Sequence, residues 1–191
     1  MITWEVVRDA SVNSFDVSEG VLQAIERLLI EAGEIWSRHL EAPNDVTITI
    51  NLGFLEQDNS FLAFGGGDFV SIGTTECAPN LVQIEALREI VTGIDTSPDS
   101  PDLNVTINFT NLSQIFLDND TSTGNIPASL NDGLPLFIHA IGHGLGFAGA
   151  VATANEINTA PTIDTFSQFV IPDGDRFVFS GPNAVEQFGG N

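Results

Sequence analysis

Between Leu134 and Phe147 the chain runs Leu134-Pro135-Leu136-Phe137-Ile138-His139-Ala140-Ile141-Gly142-His143-Gly144-Leu145-Gly146-Phe147, and this stretch constrains the fold more than any other. Two of the chain's three histidines stand in it, four residues apart. On a helix, positions i and i+4 stack on one face, so both imidazoles would aim at a common point beside an otherwise apolar rod. Asn131 or Asp132 can cap such a helix, and Pro135 suits its first turn. Leu136, Phe137, Ile138 and Ile141 would bury it against a sheet. Gly146, three residues past His143, can turn the chain by adopting φ > 0 at no steric cost.

The segments around it supply that sheet. Residues 2–8 read as a first strand, and Val46–Leu52 alternates apolar and polar residues as a half-buried strand does. Leu103, Val105, Ile107 and Phe109 alternate with Asn104, Thr106 and Asn108 in the same way. Between the first two strands, Val21, Leu22, Ile25, Leu28, Leu29, Ala32, Ile35, Trp36 and Leu40 recur at helical period behind Asp16 or Ser18 as cap. His39, beside Arg38 at the end of that helix, reads as a solvated or capping histidine rather than a ligand. Phe61–Ile72 is strand-like but interrupted by Gly65-Gly66-Gly67, which suits an edge, a bulge or the close approach of another backbone. Asn80 is placed to cap a further helix, with Leu81, Ile84, Leu87, Ile90 and Val91 on one face and Gly93 ending it. Later come Ile163–Phe166, a turn at Pro172–Asp175 and a short strand at Arg176–Phe179. The expected fold is α+β: a twisted mixed sheet of four or five strands backed by two helices, with the His139 helix beneath it.

The string His139-x-x-x-His143-Gly144-Leu145-Gly146-Phe147 resembles the active-site helix of bacterial zinc metalloproteases of the metzincin and leishmanolysin-like kind. That resemblance implies a zincin-like fold, zinc held by His139 and His143, and a peptide substrate laid against an edge strand near Gly65–Gly67 (the bland alternative is an ordinary hairpin). It also implies one domain over 1–191, with an N-terminal subdomain at 1–147 carrying the active-site helix and a partial C-terminal subdomain at 148–191. The departures are as informative. In the zincin motif H-E-x-x-H the glutamate is the general base, and here its position is Ala140. The third histidine of metzincins would fall at Gly149, no histidine follows His143, and the only methionine is Met1, so no Met-turn is present. The tail from Phe179 to Gly190 resembles the segment preceding the distant third histidine of the leishmanolysin-like group, which leads us to expect a fragment ending short of it. Asp164, 21 residues past His143, is the candidate third ligand within the chain.

Zinc at a catalytic site takes three protein ligands plus a water whose pKa falls to about 7. The absent carboxylate would move that water's proton to the leaving amine, help typically worth about 10²–10⁴ in rate. With Ala140, the chain is expected to bind metal weakly and to cleave peptides poorly or not at all. Both a deliberately inactivated protease and a natural pseudoenzyme fit this pattern. The alternative function is a non-catalytic, acidic, calcium-binding interaction domain on the same scaffold.

Charge supports that alternative and removes others. Five basic against 26 acidic residues leave a net charge of −21, which repels phosphate backbones and anionic lipid and so argues against nucleic-acid or membrane partners. Such acidity suits a secreted or salt-tolerant protein, calcium binding, or a cationic partner, in that order. Asp118–Asn125 offers closely spaced oxygen ligands but lacks the glycine and glutamate of an EF-hand, so a plain turn competes with a calcium site. The single cysteine, Cys77, excludes an internal disulfide; a zinc-capping thiolate is its functional reading and an inert thiol the bland one. No signal peptide is visible at Met1-Ile2-Thr3-Trp4 and no 18-residue uncharged apolar span occurs, so export would rely on a leader already removed or on a C-terminal signal outside this sequence.

Overall fold

In the computed structural model, residues 1–74, 80–117, 126–147, 162–173 and 176–188 are described. In chain order the elements are β1 (Ile2–Arg8), α1 (Glu19–Ser37), β2 (Val46–Leu55), β3 (Ala63–Gly66), β4 (Phe69–Gly73), β5 (Leu81–Ile84), α2 (Glu85–Thr92) and β6 (Leu103–Asn108). They continue with β7 (Ile115–Phe116), β8 (Asn131–Asp132), α3 (Gly133–Gly144), β9 (Ile163–Asp164), β10 (Val170–Asp173), β11 (Arg176–Phe179) and α4 (Pro182–Phe188). The chain is α+β and divides into two units, Met1–Asp68 with Glu85–Leu145, and Phe69–Ile84 with Gly146–Asn191. Among the described residues no helix is long and apolar enough to cross a membrane.

The first unit is built on a four-stranded sheet of order β1-β2-β6-β3. Strands β1, β2 and β6 run parallel, and β3 closes one edge antiparallel to β6, with Ala63 opposite Ile107 and Gly66 opposite Asn104. A parallel neighbour requires a crossover connection, and α1 supplies the one between β1 and β2. Alternation sorts the sheet's two faces: Val46, Ile48, Ile50 and Leu52 of β2 and Leu103, Val105 and Ile107 of β6 are buried, while Thr47, Asn51, Asn104 and Thr106 are not. Against the apolar face lie Leu22, Ile25, Leu28, Leu29 and Ala32 of α1 and Phe137, Ile141 and Leu145 at α3, all buried. The helical stripe foreseen for α1 is thus the one that packs.

Local chemistry fixes the helix ends. Ser18 caps α1, its Oγ accepting from Val21 N at 3.4 Å, and Arg38 is the C-cap. Arg8, at the end of β1, donates twice to Glu19 and once to Glu26, which ties that strand's end to the first turns of α1. Trp36 Nε1 donates to the Ile138 carbonyl at 2.9 Å, locking α3 onto α1. His39 is exposed beyond the helix, its N–H given to the Trp36 carbonyl.

Two expectations need correction. The helix foreseen from Leu81 begins four residues later: Leu81–Ile84 is strand β5, paired antiparallel with β4 and parallel with β9. Val82 and Ile84 are buried while Leu81 and Gln83 are only half so, and this period of two prevails over the helical reading. Gly93 does end α2, at φ +68°. The run Phe61–Ile72 is not one strand but two, β3 and β4, in different sheets of different units.

The second unit holds the sheet β4-β5-β9 and the hairpin β10-β11. Phe166 stacks on Phe179 with ring centres 4.8 Å apart, and Phe147 and Phe169 meet the same pair edge-on.

Candidate metal centre

The geometry of α3 follows from its sequence. Asp132 is the N-cap, with Oδ1 accepting from Leu134 N at 3.1 Å. At the far end Leu145 N reaches back to the carbonyls of Ile141 and Gly142, and Gly146 follows at φ +96°. This is the left-handed conformation anticipated for that glycine. Phe137, Ile141 and Leu145 at one flank are 0–1% exposed, so the flank carrying His139 and His143 is turned outward.

The two histidines converge. Their Nε2 atoms lie 2.9 Å apart, with ring centres 4.4 Å apart and ring planes at 88°. His139 is exposed and His143 half-buried. Two neutral imidazoles at this spacing share one Nε2 proton, or both lone pairs turn to one metal ion. Zinc ligands at about 2.0–2.1 Å in a tetrahedron have nitrogens about 3.3 Å apart, so metal entry needs the rings to part by only about 0.4 Å. The donor type also fits, since neutral imidazole is the commonest zinc ligand.

Ala140, the residue at the general-base position, is 1% exposed. Edge strand β3 runs across it at very close range. A Cβ built on Gly65 would sit 1.7 Å from the Ala140 carbonyl oxygen and 2.4 Å from its carbon, whereas one built on Gly66 meets nothing within 4 Å. The glycine run therefore serves the close backbone approach, and at Gly65 specifically. Gly66 looks to the sheet's other face, onto an open hollow of about 460 Å³ that Asn51, Asn104 and Thr106 help to line.

Asp164 belongs to the second unit. It is buried, its Oδ1 accepts from Phe166 N at 2.9 Å and Ser167 N at 2.8 Å, and among the described residues its Oδ2 has no hydrogen-bond partner. Among the described residues of the first unit, no third His, Cys, Asp or Glu joins the two imidazoles at ligand spacing. Cys77, Gly149 and the candidate calcium loop 118–125 lie outside the described residues.

The sequence reading missed a cluster of acids. Helix α2 buries Glu85, Ala86, Glu89 and Ile90, not the foreseen Leu87 and Val91, and Val91 is 56% exposed. Glu89, Asp95 and Asp102 bring carboxylate oxygens within 4.8 Å of one another. Burial, the neighbouring Asp102, and the charges of Asp95 and Glu85 push the Glu89 carboxyl up to about 8. Asp102 is raised as well, by burial first, against the lowering influence of the Thr49 N–H that it accepts at 2.7 Å. The signal was present, since Ala86, Glu89 and Ile90 recur at helical spacing. That spacing is hard to read as a buried face because carboxylates rarely point inward.

Comparison with known proteins adds no identity: no family model, no curated protein and no solved structure matches the chain.

Proposed function

We propose that the first unit is a zinc-binding domain of the zincin peptidase type whose proton-handling residue is replaced by Ala140, so that it holds metal and an extended peptide but turns substrate over poorly or not at all. The observation that carries this reading is the convergence of His139 and His143, Nε2 to Nε2 at 2.9 Å, on the outward flank of a buried helix. The edge strand supports it. Among the described residues β3 pairs only with β6, which leaves a row of backbone donors and acceptors for an added strand, and β3 crosses the same helix at Ala140.

Bound zinc would supply Lewis-acid polarisation and a water of pKa about 7. The chain's own residues then divide as follows. His139 and His143 donate Nε2 lone pairs, Asp132 and Gly146 fix the ends of the helix that aims them, and β3 orients the peptide. The methyl group of Ala140 neither accepts nor delivers a proton, so the base step lacks its residue.

The test is zinc titration of metal-stripped protein by calorimetry. One equivalent is expected to bind, and His139→Ala or His143→Ala each abolish it. Ala140→Glu should keep zinc binding and raise peptide hydrolysis by up to about 10²–10⁴-fold, the usual contribution of a general base. Zinc binding that survives both histidine substitutions contradicts the proposal.

A further inference from the structure

The acid cluster around α2 has no role in the histidine centre, and it holds more buried carboxylate oxygens than the surrounding N–H and O–H donors meet. Glu85, Glu89 and Asp102 are 7%, 4% and 5% exposed, yet all are carboxylates. Among the described residues the cations that ion-pair are the N-terminus, with Asp45, and Arg8, with Glu19 and Glu26, so none neutralises this group. Some of its oxygens are occupied. Asp102 Oδ2 accepts from Thr49 N, Asp95 Oδ1 accepts from Ser97 N at 2.7 Å, and Glu85 Oε1 accepts from the hydroxyls of Thr96 and Ser97. Glu89 Oε2 is different: it is buried and, among the described residues, no N–H or O–H donor reaches it. An orphaned carboxylate oxygen in an almost fully buried side chain is costly unless something positive meets it.

We infer that Glu89, Asp95 and Asp102 form a calcium site that joins α2 and the Asp95–Asp102 loop to the sheet. The donors are hard oxygens only, which calcium prefers and which excludes a soft-ligand preference. A calcium shell has ligands at about 2.3–2.6 Å, so oxygens on opposite sides of the ion stand up to about 5 Å apart. The three carboxylates, all within 4.8 Å of one another, fit inside that span. Calcium takes six to eight ligands in a flexible arrangement, and waters can complete the shell through exposed Asp95. Magnesium demands a tighter octahedron and gives up water reluctantly. The alternative occupant of the gap is a proton shared between Glu89 and Asp102, consistent with the raised carboxyls there, and the ion would displace it.

The test is the thermal midpoint of the EDTA-stripped full chain at about pH 8, where the displaced proton competes least, with calcium chloride or magnesium chloride added. Calcium a hundredfold above its Kd is expected to raise Tm by about 5–10 °C, and magnesium by less. Asp95→Asn, at an exposed position and with its amide oxygen still able to accept from Ser97 N, should fold in EDTA and lose the calcium response. Glu89→Gln should lose it too, while His139→Ala with His143→Ala should retain it, which separates this site from the zinc centre. No calcium response in the parent chain overturns the site in favour of the shared proton. A response kept in both Asp95→Asn and Glu89→Gln places calcium elsewhere, and an equal or larger magnesium response overturns the choice of ion.

Discussion

Gly65→Ala is the sharpest perturbation of the contact that brings an edge strand across the histidine helix. The added methyl would lie 1.7 Å from the Ala140 carbonyl oxygen and 3.0 Å from its Cα. Those are backbone atoms, so no rotamer change relieves the clash, and β3 or α3 must move. Overpacking of a close-packed interior costs about 1–3 kcal/mol, and a clash with backbone belongs at the upper end, about 3 kcal/mol. For a chain of this size each kcal/mol lowers Tm by about 2–4 °C, which gives a loss of about 6–12 °C. Gly66→Ala is the internal control, because its methyl meets open space and should change stability by no more than about 0.5 kcal/mol. Differential scanning calorimetry of both variants reads the difference. Gly65→Ala should also weaken zinc binding, because the shift displaces the helix between the two ligands. Equal midpoints for the two variants, or a neutral Gly65→Ala, would refute the close approach of β3 to α3.

Two further outcomes follow from the same geometry. The Glu89 carboxyl is raised from 4.5 to about 8, so in EDTA the folded chain holds a proton that the unfolded chain releases. Stability from this group is therefore fullest below the ordinary carboxylate range and is lost as pH rises toward 8. Urea unfolding between pH 5 and 8 should show this loss, flattened in Glu89→Gln. Asp132→Ala removes the cap that receives the Leu134 N–H and should destabilise the protein by about 1 kcal/mol, read as a fall in urea midpoint with an unchanged slope.

Much of this architecture is legible in the residues themselves. The period of 3.6 in Leu22, Ile25, Leu29 and Ala32 and the alternation in β2 and β6 are each long enough to leave one reading, and they give the helix and strands that pack. The His139/His143 spacing and Gly146 define a convergent, terminated helix before any coordinates. Where the sequence misleads, the segments are short. Leu81–Ile84 satisfies both a strand and the start of a helix, and only its pairing with β4 and β9 decides between them. Glu85 and Glu89 face inward against the usual placement of carboxylates, and no local pattern links Glu89 to Asp95 and Asp102, which lie beside it. The triple glycine announces that a backbone comes close, but not that Gly65 rather than Gly66 bears the contact.

Zinc K-edge X-ray absorption on protein loaded with a single equivalent reads whether His139 and His143 hold one metal ion. Two imidazole nitrogens are expected at about 2.0–2.1 Å, lost together with the zinc in His139→Ala. A first shell made only of oxygen atoms, or a spectrum unchanged by that substitution, would contradict it.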